Sequence, residues 1–405
     1  MASHSENPAD MFTPAHYGPA REDDLARLGL LVHEAFSGAQ EGAEAWMRSH
    51  GVANVRVVRE SADGQPVACL SRIVMGQFFG GRSVPMVGIA GVATDVTRRG
   101  GGLGKRLMGA CVRELAAEGV ALSALYASTR AFYRRVGYES AGGRYEYEIP
   151  IPKIPTCRAE LEVRRLTDDD QPAMTRCYEA VARSQNGMLD RGPYCWGRVW
   201  KFRENPYRVF GAVGPTGDLE GYVAVFQRSN PEFGRHGVQL SDAIFTTPAA
   251  ARTLVGLLAN YATMGDALKF FGGPTHPIHL MLGHHWGSVR LHEPWMLRIT
   301  SVPAALEARG YDPFVRGRLV IDVHDELVEA NRGVWEIEVE GGRARVRRGS
   351  GEAMCVTVRG LAAMYSGYLV PEAAATCGLC AGTAAQFAIA RAMFGGPTPW
   401  MPDFF

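Results

Sequence analysis

Val87-Gly-Ile-Ala-Gly-Val-Ala-Thr-Asp-Val-Thr-Arg-Arg-Gly-Gly-Gly-Leu-Gly-Lys-Arg-Leu-Met108 passes from a strand pattern to a helix pattern through glycine. Its first third is apolar and β-prone, as a buried strand requires. Residues 105–118 place Leu107, Met108, Cys111 and Leu115 at helical spacing, with Arg and Glu between them. Between the two patterns lie Arg98, Arg99 and a glycine-dense loop from Gly100 to Gly104. A strand that feeds a helix through glycine presents bare backbone N–H groups at the positive end of the helix dipole. Such a turn is an anion cradle, suited to phosphate.

Around this stretch the chain is long, with 405 residues, more than one ordinary core holds, so two or three domains are expected. A hydrophobic fraction of 46% and a charged fraction of 21% are those of a soluble globular protein. The net charge of +1 gives no reason to expect nucleic acid or an anionic membrane as partner. Residues 1–19 are polar and read as a mobile lead-in without the apolar core of a signal peptide, and no later segment is long and apolar enough to span a bilayer. The expected location is the cytoplasm.

Eight cysteines in a chain of this size do not make a disulfide framework. Cys69, Cys111 and Cys177 lie in apolar patterns and read as small buried hydrophobes. Cys377-Gly-Leu-Cys380 lacks the second pair or nearby histidines that zinc would want, and the βαβ setting of a thiol redox site. His276, His279, His284, His285 and His292 cluster in sequence, but Pro274, Pro277 and Gly283 make the segment a polar loop rather than a metal-binding helix. No metal is expected.

Along the chain, residues 21–50 read as one or two helices, 52–60 and 66–76 as a hairpin, and 83–94 as the strand before the glycine loop. A short buried strand at 120–126, a brief helix at 129–136 and a strand at 144–149 complete an α/β unit, closed by a proline-marked linker at 150–155. A second unit runs through a strand at 161–166, a long helical region to Phe202, strands at 207–213, 221–227 and 239–246, a helix at 249–265 and a strand at 268–271. The element order repeats the first unit without visible sequence repeat, which points to a duplicated fold. Its strand-to-helix junction, Thr246-Thr247-Pro248-Ala249-Ala250, has neither glycine nor arginine and cannot cradle phosphate in the same way. From Trp295 the pattern becomes α+β: helices at 302–308, 361–365, 371–375 and 382–394, and strands at 317–324, 333–340, 343–348 and 353–358. The chain ends Pro-Trp-Met-Pro-Asp-Phe-Phe405, an apolar tail that should dock rather than stay in water.

Arg99-x-x-Gly102-x-Gly104 after Val92-Ala93-Thr94, followed by Phe132-Tyr133-x-x-x-Gly137-Tyr138, resembles the acyl-CoA signature of the GCN5-related N-acetyltransferases. The resemblance implies that Val92, Ala93, Thr94, Arg99, Gly100, Gly101, Gly102, Leu103, Gly104, Lys105, Ser128 and Thr129 hold acetyl-CoA. It also implies that Tyr133 is general acid to the departing thiolate, a proton that acyl transfer to an amine requires. Tyr126 and Tyr138 are competing phenols that read as packing residues, and Tyr133 itself could pack in a core.

Two such units, the second degenerate, precede a domain similar to sterol carrier proteins, carried by Leu361-Ala-Ala-Met-Tyr365-Ser-Gly367. The whole resembles the enhanced intracellular survival (Eis) proteins, with units at 1–153, 154–294 and 295–405. That resemblance implies that the C-terminal carboxylate of Phe405 reaches the first unit as general base, that aminoglycosides, lysine or polyamine-like amines are acceptors, and that the chain forms hexamers. An acidic acceptor cleft would follow for such polycations, with Glu34 and Asp403 as candidates. Two other readings, a lipid or sterol carrier and a non-catalytic scaffold, sit less well with an intact glycine loop, Tyr133 and an aromatic tail.

Overall fold

The computed structural model describes residues 16–202, 205–230, 234–285 and 287–405; most of the lead-in read at 1–19 lies outside the described residues. The first unit comprises β1 (Tyr17–Pro19), α1 (Leu25–Phe36), α2 (Gln40–Ser49), β2 (Val55–Arg59), β3 (Pro66–Phe79), β4 (Arg82–Thr94), α3 (Leu103–Ala117), β5 (Leu122–Tyr126), α4 (Arg130–Arg134) and β6 (Glu139–Pro150). Strands β1 to β4 pair antiparallel in sequence order, whereas β4 and β5 are parallel. Parallel neighbours need a crossover, and α3 is that crossover. The apolar stripe read from the sequence makes its buried face: Leu107, Met108, Cys111 and Leu115 pack on Leu70, Val87 and Ile89 of the sheet. On another part of the sheet, Leu28 and Leu31 of α1 and Met47 of α2 cover Val55, Val57 and Cys69.

The second unit comprises β7 (Glu162–Arg165), α5 (Gln171–Ala182), β8 (Leu189–Asp190), α6 (Pro193–Trp200), a small ribbon of β9 (Lys201–Phe202) and β10 (Asn205–Pro206), β11 (Arg208–Val213), β12 (Leu219–Asn230), β13 (Arg235–Phe245), α7 (Pro248–Ala259), β14 (Gly265–Gly272), α8 (Pro277–Leu280) and β15 (Ser288–Ile299). As in the first unit, antiparallel strands lead to one parallel pair, β13 with β14, bridged by α7. The duplication read from element order is present. Two expectations need correction. The helical region does not reach Phe202 unbroken: α5 ends at Ala182, Gly187 takes φ +95°, and β8 then pairs with β3. Nor is the histidine-rich segment all loop, because His292 lies in β15.

That strand joins the halves. Among the described residues, one thirteen-stranded sheet runs β1-β2-β3-β4-β5-β15-β6-β14-β13-β12-β11-β7, with β8 attached to β3. β15 of the second unit pairs with β5 of the first, and β6 of the first pairs with β14 of the second. Each unit thus gives its last strand to the other, and pairing runs across the limits placed at 153 and 294.

The third unit is α+β, as its sequence indicates: α9 (Val302–Ala308), β16 (Gly317–His324), β17 (Gly333–Glu340), β18 (Arg343–Arg348), β19 (Met354–Thr357), α10 (Val358–Tyr365), α11 (Pro371–Thr376), β20 (Cys380–Ala381) and α12 (Ala384–Phe394). Its sheet is ordered β18-β17-β16-β19-β20. Leu319, Ile337 and Leu361 share one core with Phe79, Met86 and Leu297 of the large sheet. Arg298 of β15, fully buried, donates to both carboxylate oxygens of Asp325 at 2.7 Å, a charge-paired clamp between the two sheets. No helix among the described residues is long and apolar enough to cross a membrane.

Candidate active site

Parallel pairing between β4 and β5 extends over Met86, Val87 and Gly88 against Leu122, Ser123 and Ala124. Beyond Gly88 the two strands carry on, to Thr94 and Tyr126, without pairing to each other. β4 also bulges there: its register against β3 jumps between Ala90 and Ala93, and Gly91 takes φ +58°. A bulge bends the strand and frees backbone groups from the ladder. The result is a split in the sheet, edged by backbone.

The glycine loop lies at the end of that split. Arg99, Gly100, Gly101 and Gly102 are exposed, and Gly102, at φ +73°, caps α3 without any side-chain hydrogen bond to the first turn of Leu103, Gly104 and Lys105. A Cβ at Gly100 or Gly102 would meet nothing within 4 Å, so the approach to the helix N-terminus is open. Arg98 pairs with Glu60, whereas Arg99 makes no ion pair among the described residues. Free N–H groups, an open concavity and an available guanidinium suit a pyrophosphate. Of the strand residues read as cofactor contacts, Ala93 is buried and Val92 and Thr94 are half-buried. Asp95, which follows them, accepts from the Thr97 N–H at 2.9 Å and pairs with Arg27 of α1, pinning the strand end.

The second unit has the same split and fills it. β13 and β14 pair as far as Gln239 and Lys269, and His276 packs beyond that point against Phe270 and Phe245 with a hydrogen bond to the Ala243 backbone. The junction helix α7 is capped from within, Thr247 Oγ1 accepting from the Ala250 N–H at 3.1 Å. Its N-terminus therefore has less to offer an anion.

Tyr133 comes to the first split through α4. Phe132 packs on the first turn of α3, where a Cβ at Gly104 would lie 3.2 Å from its ring, and Tyr133 turns inward to the core on the α3 face. Burial pushes the Tyr133 phenol up to about 12, against a hydrogen bond with Ser128 that pulls it down. The phenol stays protonated at neutral pH. Ser128 and Thr129 are exposed on the approach to α4. Tyr138, by contrast, shares a 2.7 Å hydrogen bond with Ser123 in the core. Tyr126 does more than pack: its hydroxyl donates to the Asp403 carbonyl at 2.6 Å.

That bond is one of several holding the C-terminal tail across the sheet. Gly143 of β6 donates to the Pro399 carbonyl at 3.1 Å and accepts from the Met401 N–H at 3.3 Å. Arg144 Nε donates to the Pro402 carbonyl at 2.9 Å. Arg191, wholly buried, donates to Asp403 Oδ1 at 2.9 Å and to Asp242 Oδ2 at 2.5 Å, and its guanidinium lies 3.8 Å from the Tyr178 ring centroid. Burial holds the Asp403 carboxyl above its usual range in spite of Arg191. Phe405, the last residue, is 5% exposed and lies against Gly88, where β4 and β5 part. Its core is on the face opposite to that of Tyr133.

Two cavities flank the tail. The wider, about 1040 Å³, is lined by α1, α2 and α6 and by Phe404; the smaller, about 300 Å³, holds Arg144, Glu293, Asp403 and Phe404. An acidic cleft is not found in the wider one, whose lining carries His33, Arg198 and Lys201 and no carboxylate among the described residues. Glu34 is exposed on α1 and lines neither cavity. Gly88, Trp46, Arg144, Arg191 and Arg198 were not singled out by sequence; only the apolar tail hinted that something must receive it. Among the described residues one trio of metal-capable side chains comes together, Asp322, His324 and Cys355 on the third unit's sheet, and Cys377 and Cys380 are free thiols.

Residues 16–141 and 187–299 each match an acetyltransferase (GNAT) domain family, and residues 302–402 match a sterol carrier protein domain family. An uncharacterized N-acetyltransferase of Streptomyces avermitilis is 27% identical over 359 residues, 80% of this chain and 82% of its own. N-acetyltransferase Eis of Mycobacterium tuberculosis is 24% identical over 363 residues, 82% of each chain. The crystal structure of a GCN5-related N-acetyltransferase from Anabaena variabilis superposes with a TM-score of 0.91 at 27% identity, covering 96% of this chain and 99% of that one. The split strands with their single open cradle, the exchanged strands and these likenesses agree: the chain belongs to the GCN5-related N-acetyltransferases, as an Eis-like enzyme of two acetyltransferase domains and a sterol carrier protein domain.

Proposed function

We propose that the chain acetylates a small-molecule primary amine, with acetyl-CoA held by Val92, Ala93, Thr94, Arg99, Gly100, Gly101, Gly102, Leu103, Gly104, Lys105, Ser128 and Thr129. Acetyl-CoA supplies the activated acyl group and a thiolate leaving group. The loop N–H groups and Arg99 bind the pyrophosphate, and the bulged backbone of β4 offers donors where the acyl oxygen gains charge. Tyr133, buried and protonated, gives its proton to the leaving sulfur. The Phe405 α-carboxylate takes the proton the amine must lose. The observation that carries this reading is the seat of Phe405 on Gly88, at the point where β4 and β5 part.

The division into 1–153, 154–294 and 295–405 and assembly into a hexamer are proposals that rest on the resemblance, and sedimentation tests the second. The chemistry is tested by following thiol release from acetyl-CoA across a panel of amines. Turnover with at least one amine is expected; none, with acetyl-CoA bound, would overturn it. Gly102→Glu, which sets a carboxylate and an L side chain at φ +73°, should abolish acetyl-CoA binding measured by calorimetry.

A further inference from the structure

We propose that the acceptor is an amine on an aromatic or other apolar body with an anionic group at its far end, and not a polycation. This rests on the reading of Tyr133 and Phe405 as the reacting pair, which fixes where the amine must arrive. Phe404, the residue before, lines both cavities and stands between them. The wider cavity is walled by Phe36, Trp46, Tyr194 and Phe202. Trp46 also covers Gly91 at the β4 bulge, where a Cβ would lie 2.7 Å from its ring, so this wall continues to the strand edge of the site. Its Nε1–H donates to Tyr194 Oη at 2.8 Å, tying α2 to α6 across the opening.

Among the described residues, the ionisable side chains that line the wider cavity, His33, Arg198 and Lys201, are all basic, whereas the smaller one also holds Glu293 and Asp403. Arg198 donates to Tyr194 Oη at 2.5 Å, and its guanidinium lies 4.6 Å from the Phe202 centroid and 5.8 Å from that of Phe404. On the other side of Phe404, the Arg144 guanidinium lies 5.6 Å from the same ring and 3.3 Å from that of Phe271. Neither arginine forms an ion pair among the described residues, whereas the buried Arg59, Arg191 and Arg298 do and the buried Arg309 does not. A partly desolvated guanidinium without a counter-ion is costly, and a planar anion satisfies it with two parallel hydrogen bonds. A second ammonium on the acceptor would instead meet like charge.

One ammonium can still be received. Asp403, which lines the smaller cavity, keeps Oδ1 on Arg191, and its Oδ2 is buried without a hydrogen-bond partner. Burial holds the carboxyls of both Glu293 and Asp403 in that cavity above their usual range. The surface therefore offers cations for an anion, aromatic walls for a body, and a carboxylate oxygen for a single ammonium.

Three probes share one ring and one reacting aminomethyl group and differ in distal charge: 4-(aminomethyl)benzoate, benzylamine and p-xylylenediamine. With the full chain and acetyl-CoA, kcat/KM should be about tenfold or more higher for the benzoate than for the diamine, the worth of one charge-assisted contact. Arg198→Gln should remove the preference and Arg198→Glu should reverse it, with acetyl-CoA affinity unchanged. Preference for the diamine, or equal use of all three, overturns the acceptor proposal alone. A preference that Arg198→Glu leaves intact in a folded variant also overturns it. Failure to acetylate any of the three with acetyl-CoA bound overturns it too. Acetylation of other amines in the wider panel then shows that the reading of the reacting pair survives.

Discussion

The ring of Phe405 rests on the backbone of Gly88, 317 positions earlier in the chain: a Cβ placed at Gly88 would stand 2.6 Å from Phe405 Cε2. Strand β4 thus lacks a side chain at the position where the last residue must lie. Gly88→Val should push the ring off the strand and misplace the terminal carboxylate. Turnover is expected to fall about a hundredfold, the usual consequence of displacing a reacting group by an ångström. Acetyl-CoA affinity, measured by calorimetry, should change little, because the glycine loop is untouched.

Tyr133 lies on the other face of the split. Its phenol is held up to about 12 by burial, so it carries its proton at every pH at which the enzyme would be assayed. Tyr133→Phe should lower kcat by about a hundredfold or more and leave acetyl-CoA binding intact. Unchanged kcat would remove Tyr133 from the chemistry and return Tyr126 to consideration.

Arg191 balances two buried carboxylates, Asp242 and Asp403. Arg191→Met should destabilise the chain by about 3 kcal/mol or more, since it leaves two uncompensated charges in a dry site. Asp403→Asn should cost less, because an amide oxygen can still accept from Arg191 Nε. Melting temperatures of the two variants test the order.

His276 fills the second unit's split in its neutral form: Nδ1 accepts from the Ile278 N–H at 3.3 Å, which assigns the proton to Nε2. Burial lowers its pKa from 6.5 to about 4. Its contribution is complete above about pH 6.5 and is lost as pH falls toward 4, amounting to about 3 kcal/mol. His50 is lowered in the same direction and adds to the slope. His276→Gln, which does not titrate, should show a smaller fall in melting temperature between pH 7 and pH 4.5 than the parent chain. An identical fall would mean that His276 is not the group responsible.

Local pattern carried most of the fold. The stripe Leu107, Met108, Cys111 and Leu115 and the alternation through 317–348 are short-range signals, and the elements they mark are present. β15 was not legible because Pro294 interrupts its pattern and Arg298 is charged. Both are accommodated only by tertiary context: Pro294 lies between two irregularities in the pairing with β6, and Arg298 is neutralised by Asp325. The strand exchange was hidden for the same reason, since partners a hundred or more residues apart leave no mark in spacing. At the site, the cradle of Arg99 to Gly104 and the tyrosine at 133 could be read in advance. The basic lining could not, because Arg144 and Arg198 look like any surface arginine until the tail is laid between them.

The central claim is that the chain's own α-carboxylate is the base, and chemistry on that one group tests it most directly. The chain is made by ligation in two forms, one ending in the Phe405 acid and one in the Phe405 amide, which keeps every ring and backbone contact of the tail. Both forms should melt at the same temperature and bind acetyl-CoA equally, while thiol release with the amide falls by about a hundredfold or more. Equal turnover of the acid and the amide would contradict the account.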